Sequence, residues 1–248
     1  MISIITVVYN NKSGMKKTLK SVLSQTYADY ELIIVDGCST DGTVDFCKRE
    51  MSKFSHIKLL SEKDEGIYDA MNKGIKASSR RWLIFMNSGD EFYDANTLES
   101  FSKKECFYDN SVILAYGDKV DIDGCLIPAE RNLNVIESGE LFACHQSIFF
   151  RPDIYYNKSY KIFGDYDLLA RIYKNGSHEK IVYLGIPISI FEGGGISSLV
   201  STLKRKEKFI SIFNNFGLIG IFKNYIFNVV VWEKIINVVF RSIKGNKT

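Results

Sequence analysis

Unbroken apolar runs and helically spaced apolar positions take turns along roughly the first ninety residues. Residues 2–9 form a run rich in β-branched side chains, the kind that fills a strand covered on both faces. Met15, Leu19, Val22 and Leu23 then recur on one helix face, which predicts an amphipathic helix from near Ser13. A second strand is predicted at 31–35, ended by Asp36-Gly37. The helix after it, running to about Met51, has candidate caps in Ser39, Thr40 and Asp41. A short strand at 57–60, a helix at 66–77 and a strand at 82–86 follow, the last closing on Asn87-Ser88-Gly89-Asp90. Alternation of this kind predicts a doubly wound α/β fold around a mainly parallel sheet.

Sheets of that class bind ligands outside the carboxyl ends of their strands. Polar residues fall in those places here: Tyr9-Asn10 after the first strand, Asp36 after the second, Asp64 after the third and Asp90 after the fourth. Four strand ends therefore aim polar groups at one crevice.

The pattern is more mixed over 111–190, with short strands at 112–116, 147–150 and 181–183 and a helix near 167–174. From 199 onward it is helical in period, basic at Lys204-Arg205-Lys206 and rich in Phe and Ile. The expected division is a main domain over 1–198, in halves 1–110 and 111–198, and a basic amphipathic helical segment over 199–248. No stretch reaches the roughly 20 uninterrupted apolar residues of a membrane span.

Composition narrows the reading further. A chain of 248 residues, 46% hydrophobic with net charge +3, fits an ordinary globular protein and gives no case for nucleic-acid binding. Cys38, Cys47, Cys106, Cys125 and Cys144 lack metal-ligand or disulfide spacing, which suits a reducing compartment. The first residues lack the basic start and cleavage site of a signal peptide, so the expected location is the cytoplasm.

Several residues are candidates for chemistry. Asp90, in a polar turn after a buried strand, suits a hard divalent cation that keeps most of its shell for water and phosphate, or caps the helix near Thr97. Asp36 is placed to contact a base or ribose, while Asp41 reads as a helix cap. Asp165 and Asp167 open a helix, where a carboxylate serves either as a general base or as a favourable charge at the helix start. His145 is placed to line the acceptor side of a pocket or to sit satisfied in the core; His56 and His178 receive no role. Tyr9-Asn10-Asn11-Lys12-Ser13-Gly14 matches neither the dinucleotide fingerprint nor the P-loop, which argues against a nicotinamide enzyme or an ATPase.

In order along the chain stand Ile5-Thr6-Val7-Val8-Tyr9-Asn10, Ser21-Val22-Leu23-Ser24-Gln25-Thr26-Tyr27, and the stretch from Glu31 through Asp36-Gly37-Cys38-Ser39-Thr40-Asp41-Gly42 to Thr43. Asp64-Glu65-Gly66-Ile67-Tyr68-Asp69-Ala70-Met71-Asn72-Lys73-Gly74 and Asn87-Ser88-Gly89-Asp90 follow. This ordered set resembles the inverting family 2 glycosyltransferases of GT-A fold, and among them the transferases of bacterial exopolysaccharide, colanic-acid-like and O-antigen clusters.

The resemblance implies a nucleotide-diphospho-sugar donor, a UDP-sugar first, and a glycan or lipid-linked acceptor. It implies that Thr6, Tyr9, Asp36 and Asp64 hold the nucleoside and that Asp90 holds Mg²⁺ or Mn²⁺, with Ser88 standing at the first acidic position of the family's Asp-x-Asp-type motif. Asp165 aligns with the catalytic base of the family's Glu-Asp motif, Gly164 replacing the Glu, and Asp167 and Arg171 fit the residues after it. Asn72, Lys73, His145 and Gln146 complete the expected substrate contacts, Lys73 substituting for an arginine that Met71 displaces. Phe191-Glu192-Gly193-Gly194-Gly195-Ile196-Ser197 resembles the segment that closes over the donor.

Two rivals stand on the same fold: a nucleotidyltransferase, which would show a Gly-rich basic loop after the first strand, and a non-catalytic nucleotide-sugar-binding scaffold. The segment 204–244 reads either as lying on the inner face of the plasma membrane, basic groups on anionic headgroups, or as a helical pair packed on the domain or on a second subunit.

Overall fold

A computed structural model describes residues 1–176, 178–191 and 201–245, with side chains described as far as Asn228 in the last helix. The chain runs β1 (Ile2–Val8), α1 (Lys12–Leu23), β2 (Tyr30–Asp36), α2 (Thr43–Met51), β3 (Ile57–Ser61), α3 (Ile67–Ala77) and β4 (Trp82–Phe85). It continues through β5 (Glu91–Phe92), α4 (Thr97–Ser102), β6 (Leu114–Asp121), β7 (Leu126–Ile127), β8 (Ile148–Phe150), α5 (Gly164–Lys174), β9 (Ile181–Phe191) and α6 (Thr202–Gly245).

The sheet has the order β3-β2-β1-β4-β8-β6-β9-β5, with β7 paired to β6. The first four strands are parallel, in register Val8↔Asp36 and Asp36↔Ser61, so the strand ends that carry polar residues lie side by side. β8 runs antiparallel between β4 and β6, and β5 antiparallel to β9, which makes the sheet mixed and mainly parallel.

Alternation along each strand divides the core in two. Ile5, Val7, Ile33, Val35, Leu83 and Phe85 face α3 and α5. Ile2, Ile4, Val8, Leu32, Ile34, Trp82 and Ile84 face α1, α2 and α4. Both faces are covered, which explains why these strands read as continuous apolar runs.

Three expectations change. β6 and β9 are longer than 112–116 and 181–183, because the ladder continues past irregularities between Tyr116 and Lys119. There Gly117 lets the Ile186 carbonyl approach to where a side chain would clash, at 2.4 Å from an added Cβ. Ser39 and Thr40 do not cap α2; the Asp41 carboxylate accepts from the Thr43 amide at 3.0 Å instead, and Gly42 turns the chain with φ 83°. The C-terminal segment is not an appendage throughout: Glu207, Ser211, Ile212 and Asn215 are buried against the domain, so the first part of α6 belongs to the core. α6 breaks at Gly217 (φ 63°, ψ −152°), which divides it into two helices. The glycine-rich run after Phe191 lies outside the described residues.

Candidate functional site

A cleft of about 710 Å³ opens at the carboxyl ends of β1, β2 and β4, lined among others by Val8, Tyr9, Gly37, Asp64, Asn87 and Ser88. Behind Gly37, Asp36 is wholly buried; its Oδ2 accepts from the Ser39 amide (3.1 Å) and the Ser61 hydroxyl (2.8 Å). Its Oδ1 is buried with no hydrogen-bond partner, as is Thr6 Oγ1. Lys73 donates to Asp64 Oδ1 at 2.7 Å and lies 3.0 Å from Glu62 and 3.6 Å from Asp69, a cluster that fixes the Asp64 carboxylate beside Gly37. Burial alone lowers the Lys73 pKa, but these carboxylates outweigh it and hold the ammonium well above its ordinary range.

A second part of the site is built on the turn after β4. The Met86 and Ser88 amides donate to Ile5 and Val7, so the turn extends the parallel ladder. The Asp90 carboxylate accepts from the Asn87 amide at 3.0 Å, and Ser88 and Asn11 exchange two hydrogen bonds, at 3.1 and 3.2 Å. Thr18 of α1 reaches in from below. Its hydroxyl lies within 3.0 Å of the Asn87 and Asp90 carbonyls and the Gly89 amide. Thr18 was no candidate in the sequence, yet a hydroxyl on the apolar face between Met15 and Val22 is a readable sign of a buried polar contact.

His145 joins this turn to the second half of the chain. Asn87 Nδ2 lies 3.1 Å from its Nε2, and Asp90 Oδ2 lies 3.9 Å from the same nitrogen. On its far side Nδ1 faces Asp165 Oδ2 at 3.8 Å. Asp165 keeps 22% of its side chain open, but Oδ1 is buried without a formed hydrogen bond beside the Tyr156 hydroxyl. Burial raises its pKa, and the His145 charge and the nearby Tyr156 hydroxyl offset this only in part.

Four expected ligand residues have side chains committed to internal bonds. The Asn72 amide clamps the Tyr156 backbone, donating to its carbonyl and accepting from its amide, both at 2.9 Å. Asp167 pairs with Arg171 at 2.9 Å and faces α6 rather than the cleft; Arg171 also donates to the Tyr155 carbonyl. Gln146 is buried and accepts from the Cys144 thiol. Asp165 and Asp167 sit two apart on a helix, about 200° around its axis, so they cannot face the same way.

The residues fit a hard divalent cation. Asn87 Oδ1 is a buried oxygen with no hydrogen-bond partner next to the Asp90 turn, and the other nearby donors are carboxylate and imidazole. Among the described residues no cage of three or more acidic, His or Cys side chains exists. Asn87 Oδ1 with the Asp90 carboxylate suits Mg²⁺ or Mn²⁺, which keep several positions for water and phosphate oxygens.

Known proteins resemble this chain in sequence and in fold. A PGL/p-HBAD biosynthesis glycosyltransferase of Mycobacterium tuberculosis (strain H37Rv) is 29% identical over 218 residues, covering 81% of this chain and 80% of that protein. The putative teichuronic acid biosynthesis glycosyltransferase TuaG of Bacillus subtilis is 35% identical over 94 residues, 37% of each. Among solved structures, S. aureus TarS 1-349 in complex with UDP-GlcNAc matches with a TM-score of 0.67 at 18% identity, over 87% of this chain and 67% of that one. In another crystal structure of TarS 1-349 the matched share of that chain is 64%. The mannosyltransferase PcManGT from Pyrobaculum calidifontis, in complex with GDP-Man and Mn²⁺, matches at 0.65 and 16% identity, over 90% and 69%. These two likenesses are ones of fold, and the fold is GT-A. The Glycosyl transferase family 2 pattern matches residues 3–167, from β1 through the turn of α5 that holds Asp165, and the chain belongs to that family.

Proposed function

We propose that this chain is an inverting, metal-dependent glycosyltransferase that moves a sugar from a nucleotide-diphospho-sugar, a UDP-sugar first, to an acceptor hydroxyl in surface-glycan synthesis. One observation carries the reading: Asp90, His145 and Asp165, from three distant segments, stand within 4 Å steps beside the Asn87-Ser88 turn, and that turn lines a cleft that Asp64 lines as well. Asp36 Oδ1, buried without a partner, and Asp64 suit the hydrogen-bonding edge of a base or ribose.

Asp90 and Asn87 Oδ1 would hold the cation, which neutralises charge on the departing diphosphate when bound. The Asp165 carboxylate takes the proton of the acceptor hydroxyl. The acceptor oxygen then bonds to the anomeric carbon as the bond to the diphosphate breaks on the opposite face, and the nucleoside diphosphate departs. One displacement inverts that carbon. A carboxylate with a raised pKa suits the task, since a base works best when its pKa lies near the working pH.

The outward face of α6 carries Phe209, Phe213, Leu218, Phe222 and Tyr225 exposed, with Arg205 and Lys206 near its start. Among the described residues no helix is long and apolar enough to cross a membrane. Such a face suits the interface of an anionic bilayer, where a lipid-linked acceptor would be presented.

Calorimetric titration with UDP, GDP and dTDP, each with and without Mn²⁺, tests the reading. Metal-dependent binding of one nucleotide, lost in Asp90→Ala, is the expected result. No binding of any of them would replace it with the non-catalytic scaffold.

A further inference from the structure

The turn ahead of α5 presents three consecutive backbone N–H groups, those of Lys161, Ile162 and Phe163. The N-cap residue Phe163 offers no side-chain partner, so the donors need one from elsewhere. It comes from α6. Glu207 Oε1 accepts from Lys161 N at 2.9 Å, and Oε2 accepts from Ile162 N at 2.9 Å and Phe163 N at 3.0 Å. Glu207 is only 6% exposed, and its charge faces the positive start of α5.

One and two turns further along α6, Ser211 and Asn215 each reach Asp167 Oδ1 at 3.3 Å. Both are buried. α6 therefore grips the chain on either side of Asp165, at 161–163 and at Asp167. Between the grips, Gly164 lies against the Tyr68 ring so closely that an added Cβ would stand 2.6 Å from it, and Tyr68 donates to the Ile162 carbonyl at 2.8 Å. The backbone at Asp165 has little room to drift.

We infer that Glu207 is a positioning residue for catalysis: by gathering the three amides it fixes where the Asp165 carboxylate points, and it makes the first part of α6 a working part of the active site. The inference rests on the reading of Asp165 as the base. A displacement of about 1 Å at a reacting group costs on the order of 10²-fold in rate, so loosening this turn acts on turnover before it acts on donor binding, which uses strand ends on the other half of the sheet.

Full-length Glu207→Ala, Glu207→Gln and Asp165→Asn are compared with the parent chain for UDP–Mn²⁺ binding, for steady-state transfer from the donor class the titration identifies, and for amide hydrogen exchange. Glu207→Ala is expected to lower kcat by about tenfold or more at a donor KM within about twofold, with faster exchange at 161–163. Glu207→Gln, the same size with one acceptor oxygen left, is expected between the two, and it carries the test where the alanine variant folds poorly. Unchanged kcat in both variants despite faster exchange at 161–163 would overturn the inference and leave the base in place. Normal transfer by Asp165→Asn would overturn the base reading itself, and this inference with it.

Discussion

His145 Nδ1 lies 3.8 Å from Asp165 Oδ2, at the meeting point of the two halves of the chain. The ring that makes this approach also stands 3.9 Å from Asp90, so one imidazole separates the two carboxylates. Two unshielded carboxylates at such range would raise each other's pKa. A histidine between them relieves that repulsion and still leaves Asp165 free to accept a proton.

The first prediction concerns pH. The base works when ionised, so kcat falls as pH drops through the pKa of Asp165, which burial raises above the ordinary value near ~3.9. The His145 charge opposes that rise. His145→Gln should therefore move the acid limb of the kcat profile to higher pH. A limb that stays in place would show that His145 does not tune the base.

Asp165→Asn should separate activity from stability. Loss of the base is worth on the order of 10²–10⁴ in kcat. The raised pKa means that Asp165 favours the folded state when protonated, and that this contribution is lost as pH rises through the folded value. The uncharged Asn is spared that loss, so the variant should melt higher than the parent at pH 7 by differential scanning calorimetry. A lower melting temperature would contradict the burial assigned to the carboxylate.

Gly164→Ala should damage the site from beneath. Its Cβ would meet the Tyr68 ring at 2.6 Å, and overpacking of this kind costs about 1–3 kcal/mol. The expected result is lower kcat with nucleotide affinity retained, and recovery of stability in the double variant with Tyr68→Leu.

Glu31 links the sheet to acid stability. Burial pushes its pKa up, but hydrogen bonds from Lys58, Ser3 and Ser79 outweigh this and hold it at about 2. A depressed pKa gives stability that is present above the unfolded value near 4.5 and lost as pH falls toward 2. Glu31→Gln should cost about 1–3 kcal/mol in urea unfolding at pH 7. It should also flatten the decline of stability between pH 5 and 3, where an unchanged slope would refute the assignment.

The outer face of α6 is tested by Phe209→Glu with Phe213→Glu, two stacked rings whose centroids are 6.4 Å apart. Binding to vesicles containing anionic lipid should fall in the double variant and weaken with salt, while UDP binding stays as it was. Equal vesicle binding by parent and variant would remove the membrane from the proposal.

The sequence by itself determined the strand–helix order of the first half, because continuous β-branched runs and helical periodicity are local signals. It also placed Asp36, Asp64 and Asp90 at the ends of their strands, since a parallel sheet collects those ends at one edge. The length of β6 and β9 was hidden by a local irregularity, at which Gly117 and Gly185 interrupt the alternation.

Only the tertiary structure decided which of the later candidates gather at the Asp90 turn. By charge and place at the helix start Asp165 and Asp167 are alike, and only the resemblance separated them, yet α6 takes one carboxylate and leaves the other to His145. Asn72 and Gln146 carried the right chemistry but were claimed by the Tyr156 backbone and the Cys144 thiol. Glu207, Ser211 and Asn215 recur every four residues as a polar stripe in a helical segment, a pattern that marks a bonded face without naming its partner. The partner lies more than forty residues away, and contacts of that range are set by how the layers pack, not by anything local in the chain.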